Sequence, residues 1–349
     1  MRLSEQFRSH FGHRDHLYGV MLALLADDLD AGGPTAEICA DRMDAVRADA
    51  VQLRLLAGLF RVVLRGEAPA LARHYPCLQA TGRPGTTGLA DAGTLWADLH
   101  PVLTGHIAEL RAALEAAPQT NEVGRSACLL VGLFEAVRRH GLHRVRLLEP
   151  GASAGLNLNV DRYRFTGPDW AWGPADSPLT LDGIGAAVRP APVTIVDRRG
   201  CDLSPVDLRT PGAATHLRSF VWPFNLERHH RLDAAVGVAR RHPVAVDTAP
   251  ASSWVAGQLA DPPSDDVLTV VWQSITQQYW PASESAAVAD AVEDARSRMP
   301  LAHIVMEGVP PVQGTDGYRI APHGPTTAVD GDVVARSHHH GPPVVDPEG

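Results

Sequence analysis

The residues with the most chemistry in them lie in LLEPGASAGLNLNV, positions 147–160. An apolar run ends at Glu149, a glycine-bearing turn runs from Gly151 to Gly155, and a helix start is predicted beyond it. In an open α/β sheet the crevice outside the first strand's carboxyl end is where a nucleotide-like ligand sits. Gly151 and Gly155 predict close approach of the backbone to that ligand, with Ala152, Ser153 and Asn157 in reach. An acid at Glu149 repels a pyrophosphate and suits positive charge, such as the amino group and sulfonium of S-adenosylmethionine. That is the physical difference between E-x-G-x-x-x-G and the dinucleotide pattern G-x-G-x-x-G. The same letters spell G-x-S-x-G, in which Ser153 is the nucleophile of a serine hydrolase, with Asp247 and either His303 or His323 completing the set. Order alone is weak evidence in a chain with 17 histidines. A hydrolase elbow also follows several strands, whereas everything upstream here reads as helix. The plainest alternative is a tight turn that packs helix on sheet and holds no ligand.

Further positions group around that turn. VTIVDRRGCDLSPVDL, 193–208, puts Asp202 at a strand tip, where an acid accepts both ribose hydroxyls. Its distance from the glycine turn far exceeds the roughly 20 residues of the dinucleotide pattern. An inserted hairpin absorbs the excess. Asp197 competes for this role, and pairing with Arg198 or Arg199 is the structural alternative. The third strand ends at Asp247-Thr248, placing a carboxylate for an adenine amino group. The fourth ends at Gln273-Ser274, with Gln277, Gln278, Tyr279 and Trp280 facing the reacting group. In TNEVGR, 120–125, Thr120 or Asn121 caps the next helix and leaves free N–H groups, while Arg125 clamps a carboxylate. A structural salt bridge of Glu122 or Arg125 is the alternative. Glu122, Tyr163 and Tyr279 are the candidate bases. His10, His13 and His16, and the run His338 to His340, lack an acidic or cysteine partner at diagnostic spacing, so no metal site is expected.

The elements that position these groups divide the chain. Helical periodicity over 4–30, 49–65, 88–117 and 121–140 predicts an all-helical cap domain across 1–140. Across 141–349, VRLLE, VTIV, VAVD, VLTVVW and AHIVME are short buried-type strands alternating with helices such as 226–241 and 282–298, which predicts a parallel sheet covered on both faces. The aromatic, Gly- and Pro-bearing segment at about 161–192 predicts a β-hairpin insertion after the first βα unit.

Composition narrows the function classes. A chain of 349 residues accommodates two domains. It contains no lysine, so Schiff-base and Walker-type phosphate chemistry are excluded. The net charge of −9 with dispersed arginines argues against nucleic acid as a partner. No apolar run reaches membrane-spanning length, the N-terminus lacks a signal-peptide pattern, and four widely spaced cysteines encode neither disulfides nor a zinc knuckle. A cytoplasmic protein acting on small molecules is expected.

TNEVGR at 120–125, LLEPGASAGLNL at 147–158, DRYRF at 161–165, RRGCDLSPVD at 198–207, VWP at 221–223 and HGPPV at 340–344 together resemble an uncharacterised bacterial family known only as a domain of unknown function. The resemblance spans nearly the whole chain. It implies a helical N-terminal domain joined to a methyltransferase-like Rossmann domain and brings no established reaction. The family's histidine-serine pair on the fourth strand is replaced by Gln273-Ser274, and the aromatic after HGPPV by Val345-Asp346. The expected fold is therefore α/β, a methyltransferase-like Rossmann sheet with a helical cap. The expected function is S-adenosylmethionine-dependent methyl transfer to a small molecule. Cyclisation or alkyl transfer releasing methylthioadenosine, a non-catalytic cofactor- or partner-binding module, and serine hydrolysis are the alternatives.

Overall fold

The computed structural model describes residues 1–11, 16–79, 91–185, 187–308 and 324–347. His13 and His323 lie outside these residues. The chain partitions into two compact units, one of Met1–Thr120 with Pro211–His230, the other of Asn121–Thr210 with Arg231–Gly349. The break near 140 expected from the end of helical periodicity is not where the units divide. The helix Ser126–His140 belongs with the sheet, and 211–230 returns to the helical unit.

The helical unit is built around Leu17–Asp30, Val51–Leu64 and Ala92–Gly105. Met21, Leu25, Leu55, Leu59, Phe60, Leu99 and Leu103 form its core, all at most 1% exposed. Two long helices expected here are each broken. The first appears as Leu3–Ser9 and Leu17–Asp30, because His16 leaves helical geometry and its Nδ1 accepts the Gly19 N–H at 3.0 Å as an N-cap. The stretch 88–117 splits at His106 into Ala92–Gly105 and Ile107–Ala113, after a helix whose interior already carries Pro101.

Among the described residues the second unit carries eleven strands: β1 Arg144–Pro150, β2 Arg164–Thr166, β3 Ala171–Trp172, β4 Thr180–Leu181, β5 Thr194–Asp202, β6 Ala245–Thr248, β7 Val267–Ser274, β8 Leu301–Glu307, β9 Thr326–Val329, β10 Asp332–His338 and β11 Gly341–Val345. Eight form a mixed sheet in the order β11-β10-β9-β8-β7-β1-β5-β6. The run from β8 through β7, β1 and β5 to β6 is parallel, and β9, β10 and β11 continue antiparallel from β8. Central β7 is buried at every position from Val267 to Gln273, as a strand covered on both faces must be. Helices Ala251–Ala260 and Ala282–Arg296 pack on the face bearing Leu148 and Val271. Side chains alternate along a strand, so Leu147 and Glu149 point to the opposite face, which the helix Ser126–His140 covers. Gly132 of that helix lets Ile304 of β8 pack directly against its backbone.

The segment after β1 holds the inserted hairpin β2–β3, with β4 added parallel to β2. The helix expected after the glycine turn is only a 3₁₀ stretch, Asn157–Arg162. Asn157 and Asn159 spend their side chains on Glu149 and the His242 carbonyl, and Asn159 leaves helical geometry at φ −91° and ψ 24°.

Candidate functional site

Glu149 is the penultimate residue of β1, in its buried half and opposite Gly200 of β5. It is 2% exposed. Its Oε1 accepts the Asn157 Nδ2–H at 3.3 Å, and Asn157 Oδ1 accepts the Ser126 hydroxyl at 2.8 Å. A side chain on the covering helix therefore orients the amide that orients the acid. Ser126 was not legible as part of this group, since nothing in sequence connects it to a residue 31 positions away. Burial pushes the Glu149 carboxyl up to about 8, against the opposing pull of Asn157, Trp272 and the Arg125 charge. Oε2 makes no hydrogen bond among the described residues.

The turn itself is held by backbone. The N–H groups of Gly151 and Ala152 both donate to the Cys201 carbonyl, at 2.8 and 2.9 Å. Gly151, Ser153 and Gly155 sit at φ +77°, +53° and +69°. The Asp202 carboxylate accepts the Ser153 and Ser204 N–H groups, each at 2.9 Å, and Asn121 Oδ1 accepts those of Ala154 and Leu156 at 3.2 and 3.3 Å. Asn121 thus secures the turn rather than capping the helix expected after it, where Glu122 takes the Gly124 N–H at 3.1 Å. The open space expected beside Gly151 is filled: a methyl group there would overlap the Thr276 hydroxyl. Gly155 is similarly spent, on packing against Val244 and Val246. The two glycines admit the protein's own side chains, and direct ligand contact at Gly151 is withdrawn.

Ala154 closes the turn and lines a cavity of about 690 Å³ together with Pro205–Arg209, Pro243 and the β6 residues Asp247 and Thr248. This is the size of a small-molecule site. Asp247 is engaged there, accepting Arg199 through two bonds of 2.6 and 2.8 Å and the Trp254 indole at 2.7 Å. Arg199, close to the carboxylate, holds it below its ordinary range.

The other predicted residues spread around the tips of β7 and β8. Gln273 is fully buried, with Oε1 3.0 Å from His303 Nε2, and burial drives that imidazole down to about 4. Arg125 is 9% exposed and donates to the carbonyls of His339 at 3.1 Å and Ser274 at 3.2 Å. Glu307, absent from the sequence reading, accepts the Thr276 and Gln277 N–H groups at 3.0 and 3.2 Å and steadies the turn that carries Ile275 at φ +50°. Glu122 is buried, with His340 Nδ1 3.6 Å and Arg231 3.9 Å from its carboxylate. Tyr163 is sealed in the core and its hydroxyl donates to the Leu156 carbonyl at 2.6 Å, which removes it as a base. Tyr279 is exposed.

The hydrolase set is not assembled among the described residues: Ser153 Oγ has no hydrogen-bond partner, Asp247 is paired with Arg199, and His303 with Gln273. Among the described residues one trio has metal-ligand spacing, Glu67, His106 and Glu109 of the helical unit, but Arg65 already bonds both carboxylates.

Over residues 2–345 the chain matches a family described as an uncharacterized protein conserved in bacteria (DUF2332). No curated protein matches it.

Proposed function

The chain belongs to that uncharacterised bacterial family, whose description assigns no reaction, and from the chemistry of the site we propose that it binds S-adenosylmethionine and transfers its methyl group to a small acceptor. One observation carries the reading: the turn after β1 has a buried acid with an uncommitted oxygen at its root and a ligand-sized cavity at its far end. The strand order supports it. Numbered along the chain, the parallel strands run 3-2-1-4-5, reversing between β1 and β7 as in a methyltransferase-like Rossmann sheet, and such a reversal opens a ligand crevice.

In this reading Asp202 takes the ribose hydroxyls with the lone pairs its backbone bonds leave free and the cavity by Ala154 and Thr248 takes the base, while Glu149, which does not line that cavity, supports the turn from beneath. Displacement at a sulfonium needs alignment and exclusion of water more than acid-base help. Tyr279 and Glu122 remain the candidates for any proton transfer.

Calorimetry with S-adenosylmethionine and S-adenosylhomocysteine tests the binding. Micromolar binding is expected, weakened at least tenfold by Asp202→Asn; no heat with either ligand sinks the reading. Chromatography of a turnover mixture then separates the chemistries: adenosylhomocysteine means methyl transfer, methylthioadenosine means cyclisation or alkyl transfer, and an unchanged cofactor means a binding module. Ser153, with its left-handed backbone and unpartnered hydroxyl, is the specific observation that favours hydrolysis. A fluorophosphonate probe is expected to leave it unlabelled, for want of a bonded imidazole.

A further inference from the structure

The cavity beside the turn extends well past the place of a base. Every residue from Pro243 to Thr248 lines it, so it follows β6 from amino to carboxyl end, roughly 16 Å at the rise of a strand. Consecutive residues of a strand face opposite sides and β6 is the last strand of the sheet, so the cavity runs along its open edge. Leu208 and Val244 supply apolar wall, and Arg240 enters from the last turn of the helix Leu226–Arg241. That helix leads into β6 through His242 and Pro243, which places Arg240 at the strand's amino end, away from Thr248. Among the lining residues four are charged: Asp207, Arg209, Arg240 and Asp247. Asp207 pairs with Arg209 and Asp247 with Arg199, so both acids are neutralised. Arg240 has no acid partner among the described residues; its Nε donates to the Leu208 carbonyl over a long 3.5 Å, and its two terminal amino groups are uncommitted. Those two groups form the fork that grips a carboxylate or phosphate. A basic side chain in a helix's last turn also serves the helix dipole. Arg241, next in the chain and outside the lining, is placed for that duty, whereas Arg240 is turned towards the segment after β5.

We infer that Arg240 anchors an oxyanion subsite at the amino end of β6, which takes the carboxylate or phosphate of a small organic anion whose apolar body lies on Leu208 and Val244. This goes beyond the cofactor reading and stands without it, since a base by Ala154 and Thr248 leaves the Arg240 end of the cavity open. One cation without an offsetting acid, in a lining whose other charges are balanced, favours a ligand of net negative charge. The carboxyl end of the helix opposes an anion and Arg209 is already held by Asp207, so binding depends on Arg240 itself.

The test is calorimetry of the full chain at low salt with benzoate, phenyl phosphate and benzyl alcohol, one apolar body carrying a carboxylate, a phosphate or no charge. At least one of the anions should bind roughly tenfold or more tighter than the alcohol. Tighter benzoate identifies a carboxylate as the natural group and tighter phenyl phosphate a phosphate; either supports the subsite. Arg240→Gln should bring the anions down to the level of the alcohol with the thermal midpoint unchanged, because the side chain is exposed and makes one long bond. Arg241→Gln removes the same charge beside the cavity and should bind as the native chain does. No difference among the three probes, native affinity in Arg240→Gln, or an equal loss in Arg241→Gln would each overturn the inference. S-Adenosylmethionine should still bind to protein saturated with the tighter anion, and mutual exclusion would overturn a separate subsite. Anion binding without any heat from S-adenosylmethionine would sink the cofactor reading alone.

Discussion

Glu149→Gln should be more stable than the native chain at pH 9, by roughly 3–5 kcal/mol, and close to it in stability below pH 4. The native carboxyl has an ordinary value of 4.5 and is pushed up to about 8 by burial. Folding therefore holds a proton that the unfolded chain gives up. Stability from this group is fully present below the unfolded value and is lost as pH rises from about 4.5 to about 8. Glutamine keeps the shape and the dipole and cannot ionise. His10, His229 and His303, each lowered to about 4 by burial, work in the opposite sense, removing stability as pH falls from 6.5 towards 4. They are common to both proteins and cancel in the comparison. Hydrogen exchange of β1 and β7 amides at matched pH reads the difference where Glu149 acts. A gap that does not widen between pH 5 and 9 would show that the carboxyl is solvated or already paired in the native state.

The second large effect is expected at Gly200, on β5 directly beneath the turn. A Cβ there would stand 2.6 Å from that of Ala152, 3.0 Å from the Glu149 carbonyl oxygen and 3.2 Å from Leu158. The turn cannot lift away cheaply, since two of its N–H groups bond the Cys201 carbonyl. Gly200→Ala should cost about 3 kcal/mol or more, the overpacking cost plus the weakening of those bonds. It should also abolish ligand binding, because Glu149 and Ala154 stand on either side of the displaced segment. Gly257 provides the contrast. It lies in the helix Ala251–Ala260 with nothing near its added Cβ, so Gly257→Ala should gain about 0.5–1 kcal/mol from helix propensity alone. Thermal unfolding of the pair is the measurement. A native-like midpoint for Gly200→Ala would mean that the turn does not press on β5.

Part of the C-terminal sheet was missed although it leaves a mark in the sequence. Asp330-Gly331 joins β9 to β10 with both residues at positive φ, 55° and 91°, the signature of a tight hairpin. The neighbouring strands are short and only partly apolar, so hydrophobic patterning alone did not separate them from loop. The boundary near residue 140 was misplaced for a related reason. A helix's periodicity reports that one face is buried and is silent on whether helices or a sheet bury it. Ser126–His140 has the same pattern as its upstream neighbours, yet it covers β8 to β11.

What the sequence determined by itself was local: which runs become the parallel strands, where Gly141 stops a helix, that a glycine turn follows an acid at the end of β1. These follow from side-chain period and backbone permissiveness, which act between near neighbours. The tertiary structure decided what each of those groups is used for. It spent Asp247 on Arg199, Tyr163 on a carbonyl and the freedom of Gly151 on Thr276, and it left one oxygen of Glu149 uncommitted. Desolvation and pairing depend on atoms brought together from distant parts of the chain, so the protonation and availability of an acid cannot be read from its neighbours in sequence.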